Sequence, residues 1–106
     1  IEEAIAELGP LPDLLDTRGM IRLAAGESAE AITDFEEAVL QPTDIKFLHL
    51  AWARFKGGDL TGAKESLQAG MRRGLSMTKL GPDDRSLLKE LQGTLGVSEP
   101  TLESEG

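Results

Sequence analysis

The sequence predicts an all-α fold, a stack of antiparallel helix hairpins, on three observations. The first is an internal repeat. Leu15, Gly19, Met20, Arg22 and Leu23 recur 32 residues later as Phe47, Ala51, Trp52, Arg54 and Phe55, and Gly26, Glu27, Ala31, Phe35 and Ala38 recur as Gly58, Asp59, Ala63, Leu67 and Gly70. The second is apolar spacing at the helical period within each segment. The third is punctuation by glycine and proline between segments. A period this long in helix-forming sequence marks two-helix units, none of which can bury its apolar face alone. Such stacks generally bind other molecules.

The elements follow in order. Ile1-Glu2-Glu3-Ala4-Ile5 matches Phe35-Glu36-Glu37-Ala38-Val39 at an offset of 34, so residues 1–8 read as the tail of a helix from a preceding unit. Ile1, Ala4, Ile5 and Leu8 keep i, i+3, i+4, i+7 spacing, and Gly9-Pro10 stops them. Pro12 suits the first turn of the next helix and Asp13 complements its dipole. That helix is expected to reach about Ala25, with Gly26 in the left-handed conformation after it. The second helix of the unit runs from about Ser28 to Leu40, with Ala31, Ile32, Phe35, Ala38 and Val39 as its apolar stripe and Pro42 closing it.

Thr43 is the expected N-cap of a helix that ends near Lys56. Gly57-Gly58 makes the turn into a helix over about Leu60–Arg73, whose negative end suits Arg72-Arg73. Gly74 ends it. Residues 75–81 are less regular, but Leu75, Met77 and Leu80 are apolar, so this connector is expected to lie on the body. Pro82-Asp83-Asp84 starts a last helix with Leu87, Leu88, Leu91 and Leu95 on one face, and Gly96 ends it. The expected divisions are 1–9, the end of a preceding unit; 10–42 and 43–74, two hairpin units; 75–96, connector and last helix; and 97–106, an acidic frayed tail.

Composition narrows the function. The chain has 106 residues, 40% of them hydrophobic, with few aromatics and no tyrosine, so leucine and small residues must do most of the packing. The net charge of −8 disfavours nucleic acid, which needs a basic patch to displace counterions. Anionic membrane surfaces are disfavoured for the same reason, and a basic or apolar protein partner fits better. The absence of cysteine excludes disulfides and thiolate metal sites. No apolar run reaches the roughly 18 residues of a membrane span, and no signal peptide is visible. The compartment is therefore undetermined, the cytoplasm being the default expectation. The start at Ile1, inside a repeat unit, is expected of a piece excised from a longer protein.

The alternation of long helix, Gly-acidic turn, second helix and proline-marked break resembles the tetratricopeptide repeat family over residues 1–74. Gly19, Gly26-Glu27, Ala31, Phe35 and Ala38 stand where that family carries its small-and-large signature, and Ala51, Gly58-Asp59, Ala63, Leu67 and Gly70 do so in the second unit. The resemblance implies a right-handed superhelical stack of hairpins with a C-terminal capping helix. The departures are a period two residues short of the family's usual 34, and Arg18, Arg22 and Arg54 where large apolar residues are usual. These arginines are expected to lie along the stack with their heads in water or against carboxylates.

The resemblance also implies a concave groove lined by the first helix of each hairpin. Its residues here are Asp13, Asp16, Met20, Leu23 and Ala24 from one unit, and Ile45, Leu48, Trp52, Phe55 and Lys56 from the other. Read by itself, the 44–56 helix is apolar on two sides, with only Lys46, His49 and Lys56 as a polar stripe. A helix this apolar must be covered on both sides or bind something. Met20, Leu23, Leu48, Trp52 and Phe55 are therefore expected to form an apolar floor for a partner segment, with Trp52 as anchor. The alternatives are that the last helix or the 75–80 connector folds over this surface, that further repeats cover it, or that a second copy does. One subgroup of the family grips C-terminal carboxylates with basic and amide side chains. The matching places here hold Asp16, Met20, Leu48 and Trp52, so that clamp is absent, and Asp13 and Asp16 favour a basic edge on the partner.

Signals of catalysis are weak. His49 is the single histidine and reads as an exposed or half-buried helix residue. Glu2-Glu3, Glu36-Glu37 and Asp83-Asp84 are neighbours that point in different directions on a helix, so they read as solvated faces or dipole partners. Gly57-Gly58 lacks the Lys-Ser/Thr of a phosphate loop. No cofactor is expected. The expected function is a non-catalytic protein-interaction module. The alternatives are a structural cap or spacer of a longer array, a homodimerisation unit, and the regulatory arm of an enzyme whose catalytic domain lies elsewhere.

Overall fold

The computed structural model describes residues 1, 2, 4 and 11–97. Most of the expected opening helix over 1–8, and the acidic tail beyond Val97, lie outside these residues. Within them are five α-helices and no strand: α1 (Pro12–Ala24), α2 (Ser28–Ala38), α3 (Asp44–Lys56), α4 (Leu60–Arg72) and α5 (Pro82–Leu95). A short 3₁₀ turn, Met77–Lys79, lies in the connector before α5.

Local chemistry sets the boundaries. Pro12 opens α1 and Pro82 opens α5, where a missing N–H costs nothing. Thr43 caps α3 by accepting a hydrogen bond from the Lys46 N–H, and Asp59 caps α4 by accepting one from the Gly62 N–H. The two hairpin turns share one geometry. Gly26 and Gly58 sit at φ of +83° and +88°. The N–H of Glu27 reaches the Arg22 carbonyl at 2.9 Å, and the N–H of Asp59 reaches the Arg54 carbonyl at 2.8 Å. These bonds satisfy otherwise orphaned carbonyls at the ends of α1 and α3. At the turns, the repeat in the sequence is thus a repeat in the backbone.

One boundary differs from expectation. α2 stops at Ala38, not Leu40, and Leu40 is 81% exposed. The chain tightens there: the N–H of Leu40 bonds the Glu37 carbonyl and that of Gln41 bonds the Ala38 carbonyl. Pro42 lies just ahead and disfavours helical geometry at Gln41.

α1 packs on α2 and α3 packs on α4, each pair joined by its glycine turn; α2 also packs on α3, α3 touches α1, and α5 lies against α3. Two apolar clusters result. One joins α3, α4, the connector and α5 through Leu48, Leu67, Leu75, Leu80, Leu88 and Leu91; the other holds Ala31, Phe35, Leu50 and Ala53. α3 supplies both, which is why it is apolar on two sides. The expected lie of the connector is correct, since Leu75 and Leu80 are buried. Small residues permit the close approaches: a Cβ on Gly19 would stand 2.6 Å from the buried Phe35 ring.

The arginines tie together the two helices of each hairpin. Arg18 and Arg22 both bond the buried Asp34 carboxylate, at 2.8–3.2 Å. In the second unit Arg54 donates to Ser66 at 2.8 Å. Arg22–Asp34 and Arg54–Ser66 occupy equivalent places, so the same tie is made with a different acceptor. Among the described residues, every buried side-chain nitrogen and oxygen has a partner.

Candidate functional site

The first helices of the two hairpins, α1 and α3, meet along one face in three successive layers. In the first, the Lys46 ammonium bonds Asp13 at 2.9 Å and both oxygens of Gln41 at 3.1 and 3.2 Å. In the second, His49 stands between Asp16 and Asp84. In the third, polar ties give way to an apolar depression of about 400 Å³, lined by Met20, Leu23 and Ala24 of α1, Gly26 of the following turn, Ser28 at the start of α2, and Trp52 and Lys56 of α3. Its wall is built by the helical repeat: Met20 lies one turn beyond Asp16, and Trp52 one turn beyond His49.

Trp52 is half-buried, its ring centroid 5.6 Å from that of Phe55, and the Lys56 ammonium lies 4.6 Å above the indole. That cation–π contact roofs part of the apolar surface with an exposed lysine whose stem is apolar and whose head is charged.

The expected groove residues divide. Met20, Leu23, Ala24, Trp52 and Lys56 come together around the depression. Phe55 supports Trp52 from behind, half-buried against the α3–α4–α5 cluster. Ile45 is 37% exposed at the start of α3 and does not line the depression. Leu48 corrects the expectation of a continuous floor. It is fully buried in the cluster that contains Leu88 and Leu91, because α5 lies over that part of α3. The last helix therefore covers one half of the face and leaves the other as the depression.

The charged members are also reassigned. Asp16 is bonded to His49, so its charge is compensated inside the molecule; Asp13 is bonded to Lys46, although its side chain is 87% exposed. Lys46 and His49 are buried, so the expected polar stripe on α3 is reduced to Lys56. Burial weighs most on the His49 charge and opposes it. The hydrogen bonds and charges of Asp16, then Asp84, outweigh it, and the pKa lies above the ordinary 6.5.

Gly26 and Ser28 were absent from the expected set. The signal was available, since Gly26 turns the chain and so brings the start of α2 beside the end of α1. Among the described residues no cluster of histidine and carboxylates is arranged to hold a metal ion, and no helix is long and apolar enough to cross a membrane. No protein-family model, curated protein or solved structure matches this chain.

Proposed function

We propose that this chain is a non-catalytic protein-interaction module, a tetratricopeptide-like scaffold that receives a peptide or helix of a protein partner on its α1/α3 face. One observation carries the reading. Met20, Leu23, Ala24, Trp52 and Lys56 come from two helices 32 residues out of phase in the sequence, yet they converge on one depression. Tryptophan in a well-formed depression is among the residue types that most often anchor an interface. The occupant is an apolar side chain on an extended or helical segment. Nucleic acid and membrane surfaces are poor occupants for a chain of net charge −8.

The test is a peptide-display selection on the intact chain, followed by affinity measurements on the selected peptides. Trp52→Ala should weaken them by about 30-fold or more, the equivalent of about 2 kcal/mol. Leu40→Ala, which lies outside the depression, should leave them unchanged. Equal affinities for the parent and Trp52→Ala would remove the docking reading.

A second reading, the cap of a longer repeat array, draws on α5. It seals Leu48 and Leu67 with Leu88 and Leu91, which is what the terminal element of a stack must do. The two readings are compatible, since capping uses the α5 side of α3 and docking uses the α1 side. A self-associating unit, by contrast, would show a molar mass that rises with concentration in light scattering.

A further inference from the structure

His49 is held in a setting that neither docking nor capping requires. Its Nδ1 lies 2.9 Å from Asp16 Oδ2 on α1, and its Nε2 lies 2.9 Å from Asp84 Oδ1 on α5. A carboxylate only accepts hydrogen bonds, so both ring nitrogens must carry protons, and only the imidazolium has both. A neutral ring would turn a lone pair onto one of the two carboxylates. The other groups around it are accounted for. The Phe35 ring faces it from α2 with centroids 6.1 Å apart. Lys46, one turn earlier on α3, is committed to Asp13 and Gln41. Arg18 and Arg22 of α1 turn to Asp34, and Arg85 of α5 donates to the Leu80 carbonyl.

We propose that His49 is a proton-operated clasp: bound to a proton it ties both α1 and the first turn of α5 to α3, and without the proton it keeps one of these two ties and gives up the other. Leu88 and Leu91, fully buried further along α5, keep the rest of that helix in place. Loss of the Asp84 tie opens the first turn of α5, and loss of the Asp16 tie instead loosens the α1–α3 spacing, where Lys46–Asp13 remains. The depression lies one turn from the clasp on both helices, so its shape follows the state of His49.

The sign is fixed by the raised pKa of the folded state. The stabilisation is complete below the unfolded value of about 6.5 and is lost as pH rises through the higher folded value. Because His49 is the single histidine, its Cε1 proton resonance can be followed by NMR without ambiguity in the full chain. The midpoint should lie above 6.5. Across the same pH range either Trp52 emission should shift, as the Asp16 tie goes, or amide protection of Arg85, whose N–H bonds the Gly81 carbonyl at the start of α5, should fall after correction for intrinsic exchange, as the Asp84 tie goes. Asp84→Asn, which removes the carboxylate charge beside Nε2, should lower the midpoint and flatten the pH response of α5. His49→Gln, which offers one donor and one acceptor, should resemble the high-pH state throughout; if it does not fold, the parent and Asp84→Asn decide alone. A midpoint at or below 6.5, a midpoint unmoved by Asp84→Asn, or a titration that leaves both Trp52 and α5 unaffected would each overturn the clasp.

Discussion

At the residue scale, function and stability rest on a few close approaches. Gly19 lies against the ring of Phe35, which is fully buried and cannot swing aside. Gly19→Ala gains about 1 kcal/mol of helix propensity but overpacks the ring contact, which typically costs about 1–3 kcal/mol. The expected net effect is a loss of about 1 kcal/mol in denaturant unfolding; a variant more stable than the parent would show that α1 and α2 can separate freely. The recurrence of a small residue at Gly19 and Ala51 was legible in the sequence; that the Phe35 ring of the same hairpin would lie against Gly19 was not. The surroundings of His49 were not legible. Its partners lie 33 residues before it and 35 after it, and nothing local in either stretch says that they converge. The same holds for Asp34, whose burial follows from two arginines on another helix.

At the element scale, the two glycine turns give a paired prediction. Gly26 and Gly58 both take positive φ, and a Cβ at either would meet nothing within 4 Å. The cost of Gly26→Ala and of Gly58→Ala is therefore backbone strain alone, about 1–2 kcal/mol each. The two losses should agree within about 0.5 kcal/mol, measured by thermal or chemical unfolding. Unequal losses would mean that the turns are not equivalent. These turns, the proline starts of α1 and α5, and the Thr43 cap are all chemistry within four residues, and the helix boundaries could be read for that reason. The early stop of α2 shows where local reading weakens, since Leu40 continues the apolar pattern while Pro42 already constrains the chain. The half-closed state of the α3 face was not readable either. Whether Leu48 meets a partner or α5 is decided by how a 14-residue helix docks from the far end of the chain.

At the scale of the whole molecule, α3 belongs to both apolar clusters, contributing Leu48 and Ala51 to one and Leu50 and Ala53 to the other. The hairpins should therefore unfold together. Leu91→Ala, in the α5 cluster, should cost about 2–5 kcal/mol. Its Trp52 emission and far-UV circular dichroism should still trace one coincident transition; two separated transitions would mean that each hairpin stands alone. A chain of near-copies carries its own hazard, because a helix can pair with the wrong sister as it folds. Asp34 answers that hazard. Its proper neighbours are Arg18 and Arg22, whereas the corresponding places on α3 hold Leu50 and Arg54. Misplaced onto α3, α2 would press a carboxylate against leucine, and α4 in the vacated place would offer two arginines only the hydroxyl of Ser66. The unlike acceptors thus work as address labels, letting each half of a duplicated sequence find its own mate.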